Sequence, residues 1–94
     1  MKILLIDAGN TRIKWSVVTA GKLAVPRAAA WSDTRPFADW LARAGEIERV
    51  VVCSVAGAKG ERVLRSLLHA ADAPPPEFVH SSAEAAGVRN AYRS

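Results

Sequence analysis

The residues best suited to chemistry stand near the amino end, in the stretch Asp7-Ala8-Gly9-Asn10-Thr11-Arg12-Ile13-Lys14. A polyphosphate needs N–H donors on a backbone that it can approach closely. Gly9 removes the side chain that would block such an approach. Successive amides in a tight turn form a concave nest for an anion. Asn10 and Thr11 add short polar side chains that can donate to phosphate oxygens, and Lys14 brings a point charge to the same place. Asp7 is the odd member, because a carboxylate repels phosphate. It has a purpose there if it holds a metal ion such as Mg²⁺, or a water bound to that ion, between itself and the phosphates. The plainer reading is a β-hairpin whose turn uses Asp, Gly and Asn for their backbone tolerance. Three features favour the phosphate reading. Asp7 ends an apolar run, the turn lies at the extreme amino end, and Lys14 follows on the next strand.

The elements that must position this loop are legible from periodicity. Residues 2–7 form an apolar run that stops at polar turn chemistry, the pattern of a buried strand. Gly9 and Asn10 suit a turn that needs positive φ. Residues 11–19 alternate, with Ile13, Trp15 and Val17 on one face and Arg12, Lys14 and Ser16 on the other. Lys14 thus leaves its strand on the polar face. Ala20-Gly21-Lys22 makes a second tight turn, and residues 23–31 form a weaker strand in which Pro26 marks an edge or a bulge. A helix opens at Asp33 or Thr34 with Pro36 in its first turn, buries Phe37, Trp40, Leu41 and Ala44, and ends at Gly45. Residues 49–55 are a Val-rich strand, apolar on both faces, as a covered central strand requires. A second helix over residues 58–71 turns Val63, Leu64, Leu67 and Leu68 inward until the proline run at 74–76 stops it. Residues 77–80 give a short last strand, Ser81 or Ser82 opens a helical turn through 84–86, and residues 87–94 show no periodicity.

The resulting order is β-β-β-α-β-α-β, an α/β mixed sheet in which an antiparallel meander precedes helix-linked parallel strands. That is the ribonuclease H-like arrangement of the actin-like ATPases, shared by actin, hexokinases and acetate kinases. Fold alone does not decide function. The 94 residues make one small domain, without an internal repeat or a linker that would mark a second. Crossing a bilayer takes roughly 20 apolar residues in a row, and no such run occurs. The apolar opening ends at Asp7, too soon for a secretion signal, so a cytoplasmic protein without a membrane partner is expected. The net charge of +4 suits an anionic small substrate as well as nucleic acid. Because the charges are scattered and not interleaved with aromatics, no nucleic-acid partner is expected.

Other reactive side chains read as structural. Cys53 is alone inside an apolar run and suits a buried thiol. His69 and His80 lack a second ligand at metal spacing. Trp15, Trp31 and Trp40 read as core, and Arg62 and Arg65 as a solvated helix face. Ser54 could face a cleft, but no base accompanies it.

Asp7-x-Gly9-Asn10-Thr11, placed straight after an amino-terminal apolar strand, resembles the first phosphate-binding motif of type III pantothenate kinases. Related Asp-x-Gly-x-Thr loops occur across the sugar kinase and actin superfamily, and Asn10 together with the extreme placement favours the pantothenate kinases. Val50-Val51-Val52-Cys53-Ser54-Val55 is similar to that family's strand after its first helix, and Asn90-Ala91-Tyr92 to the segment whose Tyr lines the pantothenate pocket. The resemblance implies ATP-dependent phosphorylation of pantothenate to 4′-phosphopantothenate, the first step towards coenzyme A. It implies that residues 7–14 bind ATP phosphates, Asp7 organises Mg²⁺, and Tyr92 lines the substrate site. It also implies a monovalent cation, K⁺ or NH₄⁺, and a homodimer.

One departure is large. The family's Gly-x-Asp-Arg motif, whose Asp is the general base, does not occur here, nor does a second lobe with its adenosine-side loop. Residues 1–94 are therefore expected to be an incomplete amino-terminal nucleotide-binding lobe, inactive alone, with the base beyond Ser94. The rival readings are another small-molecule kinase or phosphatase of the superfamily, a non-catalytic regulatory relative, and, last, a ribonuclease H-like nuclease. A nuclease metal site needs several carboxylates, and only Asp7 stands near the loop.

Overall fold

A computed structural model describes residues 1–79. The readings made for His80, for Ser81 and Ser82 with the turn after them, and for Asn90 and Tyr92 lie outside the described residues.

Among the described residues six strands and two helices follow one another as β1 (Lys2–Ala8), β2 (Arg12–Thr19), β3 (Lys22–Leu23), β4 (Arg27–Ala30), α1 (Arg35–Arg43), β5 (Arg49–Ser54), α2 (Gly57–Ala70) and β6 (Pro76–Phe78). All the strands join one sheet in the order β3-β2-β1-β5-β6, with β4 also pairing β2. The β1–β2, β2–β3 and β2–β4 pairs are antiparallel, and the β1–β5 and β5–β6 pairs parallel. Tight turns can join only the antiparallel pairs. The parallel pair β5–β6 needs a crossover, which α2 supplies.

The expected third strand over residues 23–31 is two strands instead. β3 pairs with Val18 and Thr19, β4 with Arg12 to Trp15, and Pro26 lies in the gap between them. Proline has no N–H to give to a ladder, so pairing breaks around it. Two bonds bridge the break: Ala24 N donates to Val17 O at 2.9 Å, and the buried Ser16 hydroxyl donates to Ala24 O at 2.6 Å. At the other end of β2, Ala20 and Gly21 both take positive φ, 52° and 76°. That is the mirror-image turn which matches the twist of a two-residue hairpin.

Both helices contribute to a single core on one face of the sheet. Leu4, Ile6 and Ala8 of β1, Ile13, Trp15 and Val17 of β2, and Val50 and Val52 of β5 meet Phe37 and Leu41 of α1 and Leu64 and Leu68 of α2. The Trp15 ring lies 4.7 Å from Phe37 and 6.2 Å from Trp40, tilted in both pairs. Val63 departs from expectation: it is exposed at the edge of the α2 stripe, and Leu67 only packs against the core's rim. Helix α1 begins at Thr34 without a side-chain cap, while Asp33 Oδ1 accepts the Arg35 amide at 3.2 Å. The opposite sheet face is less covered. Ile3, Leu5, Val18 and Val51 are half-buried there, so the Val-rich strand is not equally enclosed on both sides, and Val55 is exposed. Cys53 is buried, as its apolar setting predicts, and as the single cysteine of the sequence it forms no internal disulfide. Among the described residues no helix is long and apolar enough to cross a membrane.

Candidate functional site

Asp7 is the penultimate residue of β1. The register sets it opposite Lys14 on β2 and beside Cys53 on β5. Side chains alternate along a strand, so this row lies on the face away from α1 and α2, whereas Ala8 and Ile13 point into the helix-covered core. Asp7 is half-buried and Lys14 exposed. Neither side chain makes a hydrogen bond or ion pair among the described residues.

After Ala8 the chain turns over. Ala8 O accepts the Val55 amide at 2.9 Å, which ties the end of β1 to the exit of β5. Gly9 N donates to Arg12 O at 3.0 Å and closes a two-residue loop of Asn10 and Thr11. The expected positive φ is not found at Gly9 or Asn10; the left-handed residues lie elsewhere, at Ala20, Gly21, Gly45, Gly57 and Asp72. Gly9 matters through close approach, since a Cβ there would stand 3.3 Å from Arg12 O. The amides of Asn10 and Thr11 have no partner among the described residues, and both side chains are exposed, as is that of Arg12. The turn thus presents free donors between one carboxylate and two cations.

Sequence reasoning missed Trp31. It is half-buried, and it grips the loop twice: its indole Nε1 donates to Gly9 O at 2.8 Å, and its backbone N to Thr11 O at 3.2 Å. The signal lay in the register, because a strand antiparallel to residues 12–15 must return its end to residue 11. Trp31 also walls a cleft of about 340 Å³ with Asn10, Ser32, Ala56, Lys59, Gly60 and Val63. Lys59, on the first turn of α2, was likewise unremarked in the sequence.

Ser54 Oγ accepts the Ala56 amide at 3.2 Å and staples the turn into α2, a structural use that suits a serine with no base. Arg65 is more than a solvated charge, since its guanidinium stands 4.7 Å over the Phe78 ring. His69 is exposed, and no group of three or more metal-ligating side chains occurs among the described residues. The Arg35 side chain, and then its amide, hold the exposed Asp33 carboxyl down to about 2. A paired guanidinium and carboxylate, Arg49 and Glu77, join β5 to β6 and lower the Glu77 carboxyl.

The fold is thus a mixed α/β sheet whose first hairpin holds amides unpartnered among the described residues beside an aspartate and a lysine. A family profile described as Type III pantothenate kinase matches residues 3–94, and the chain belongs to that family. It is 39% identical over 90 residues to the type III pantothenate kinase of Aromatoleum aromaticum, covering 96% of this chain and 37% of that protein. To the type III pantothenate kinase of Herminiimonas arsenicoxydans it is 41% identical over 99 residues, covering 96% and 38%. The chain therefore spans well under half the length of these relatives. A crystal structure of the Aquifex aeolicus Ppx/GppA family member superposes with a TM-score of 0.49 at 14% identity, over 89% of this chain and 36% of that one.

Proposed function

We propose that this chain is the phosphate-gripping amino-terminal lobe of an enzyme that transfers the γ-phosphoryl group of ATP to the primary hydroxyl of pantothenate, the first step towards coenzyme A. The observation that carries the reading is the pair of free amides at Asn10 and Thr11, set between Asp7 and Lys14 in a member of this family. The sheet order, with its antiparallel meander and helix-linked parallel strands, supports a ribonuclease H-like lobe.

Phosphoryl transfer demands positioning and charge stabilisation more than covalent work by the protein. The loop amides and the Asn10 and Thr11 side chains would hold phosphate oxygens, and Arg12 and Lys14 would balance their charge. The donor set fits Mg²⁺ and not a fully caged metal. One half-buried carboxylate, Asp7, stands by the loop, and Mg²⁺ is commonly held by one or two carboxylates with phosphate oxygens and water completing its shell. When bound, the ion would neutralise charge on the phosphates. Tyr92 would line the pantothenate site. The general base and the adenosine-side loop belong to the part of the relatives that this chain does not span. A K⁺ or NH₄⁺ site and a homodimer complete the reading.

The test is a coupled assay of the whole protein with ATP, Mg²⁺ and pantothenate, with the product identified by mass. Formation of 4′-phosphopantothenate and ADP is expected. ATP turnover with a different acceptor would overturn the substrate assignment, and absence of nucleotide binding would overturn the kinase reading altogether.

A further inference from the structure

We propose that Trp31 is the positioning residue of the phosphate loop, fixing the direction of the Asn10 amide through its bond to the Gly9 carbonyl. The inference rests on the phosphate-loop reading of residues 7–14 and deepens it.

No described peptide bond is cis, and in a planar trans peptide the C=O and N–H point in opposite directions. The Gly9 carbonyl shares its peptide unit with the Asn10 N–H. Once the Trp31 indole holds Gly9 O at 2.8 Å, the Asn10 N–H must point away from Trp31. The backbone N–H of Trp31 does the same to the next carbonyl but one: by holding Thr11 O at 3.2 Å it turns the Arg12 N–H to the opposite side. One residue thereby sets two of the peptide planes in the turn.

The indole also replaces a bond that a regular hairpin would make. A hydrogen-bonded pair in an antiparallel ladder exchanges two N–H···O bonds. Here Gly9 N donates to Arg12 O, while Gly9 O is taken by Trp31. The closing pair of the loop is thus half made by β2 and half by a side chain from beyond β4. The indole has support of its own. It stands beside α2, 3.7 Å from the point that a Cβ on Gly60 would occupy, and that same Cβ would meet Ala56 at 2.6 Å. The bareness of Gly60 lets the start of α2 pack where it backs the ring.

The experiment uses the whole protein labelled with ¹⁵N, and the variant Trp31→Phe, which keeps an aromatic ring and deletes the donor. In the unmodified protein the Trp31 indole N–H should be protected from solvent exchange, and the Asn10 and Thr11 amides should shift when ATP and Mg²⁺ are added. Trp31→Phe should weaken ATP binding about five- to tenfold, as expected for one hydrogen bond. Its order parameters should fall at Asn10 and Thr11 only, with kcat at saturating ATP within about twofold and the rest of the spectrum in place. If the variant is too unstable to study, the exchange rate of the indole N–H in the unmodified protein decides the matter: a free rate overturns the clamp. Unchanged ATP affinity together with unchanged loop order parameters in the variant overturns it as well. A lack of ATP-dependent shifts at Asn10 and Thr11 in the unmodified protein is a different failure, which removes the phosphate-loop reading and with it the purpose assigned to Trp31.

Discussion

Asp7 and Lys14 lie directly opposite one another across the β1–β2 hairpin, on the sheet face turned away from both helices, yet no ion pair joins them. Cross-strand neighbours of opposite charge normally gain a little by pairing. On the proposed reading, a metal-bound polyphosphate would meet both the carboxylate and the ammonium.

Lys14→Met keeps most of the stem and deletes the charge. A charge-assisted hydrogen bond contributes about 1.5–3 kcal/mol, so the KM for ATP should rise roughly ten- to a hundredfold. Lys14 is exposed and has no partner among the described residues, so the melting temperature should hardly move. Steady-state kinetics over a range of ATP concentrations checks this, and an unchanged KM would remove Lys14 from the phosphate site.

Gly9→Ala separates two roles of one glycine. Its φ is not left-handed, so alanine meets no backbone penalty. The added Cβ would crowd Arg12 O at 3.3 Å, a contact that the turn can relieve by a small shift, at a cost of about 1 kcal/mol or less. A methyl group beside the loop should nevertheless obstruct a phosphate that needs close backbone approach. ATP affinity should fall tenfold or more while the denaturant midpoint moves little. A midpoint that drops sharply with unchanged affinity would make Gly9 a purely structural residue.

Much of this was legible in the sequence because local rules and tertiary demands agreed. Alternation placed Ile13, Trp15 and Val17 on the core face, and the capping and helix-period signals located α1 and α2 to within a residue or two. Three features resisted. The split at Pro26 was visible only as an irregularity, because a proline reveals a missing donor and not how the flanking residues re-pair. Composition points to positive φ at Gly9 and Asn10, whereas the glycine answers a contact with Arg12 O that only the folded hairpin creates. Trp31 packs against the core, as its apolar ring suggests, but its hydrogen bond to Gly9 O spans 22 positions and has no sequence period.

Trp15 carries a cost of its own. Its indole Nε1 is buried and has no hydrogen-bond partner among the described residues. An unsatisfied buried donor costs about 1–3 kcal/mol. Trp15→Phe removes that donor while leaving a modest cavity, two effects of opposite sign. The net change in unfolding free energy should stay within about 1 kcal/mol, whereas Leu64→Ala in the same core should lose about 2–5 kcal/mol. Equilibrium denaturation of the two variants provides the comparison, and equal losses would mean that the orphan donor has no energetic weight.

The entry to α1 should respond to acid. The Arg35 guanidinium, and then the Arg35 amide, hold the Asp33 carboxyl at about 2. A carboxylate depressed in the folded state contributes stability above its unfolded pKa, about 3.9, and loses it as pH falls through the folded value. The contribution should therefore fade between about pH 4 and pH 2. Carbon-detected titration of Asp33 should show a midpoint near 2. Arg35→Ala should return it towards the ordinary range, and a normal midpoint in the unmodified protein would dissolve the pairing.

The sharpest test falls on Asp7. If its role is confined to the turn, it serves as an acceptor for local N–H groups, and Asn would serve nearly as well. Asp7 makes no such side-chain hydrogen bond among the described residues, which already weakens that account. If instead it organises Mg²⁺ against the phosphates, the amide loses the charge that attracts the ion. Removing one electrostatic contact of that kind typically costs about 10²–10³ in rate, or roughly 3–4 kcal/mol of barrier. Asp7→Asn in the whole protein should therefore lower kcat by about two to three orders of magnitude. Its Mg²⁺ requirement should rise, and the melting temperature should stay close to that of the parent, because a half-buried carboxylate with no partner among the described residues contributes little to the fold. Measuring kcat, Mg²⁺ dependence and melting temperature on one preparation separates the two accounts. Near-normal kcat at saturating ATP and Mg²⁺ would strip Asp7 of its metal role and leave the phosphate loop resting on Gly9, Asn10, Thr11 and Lys14.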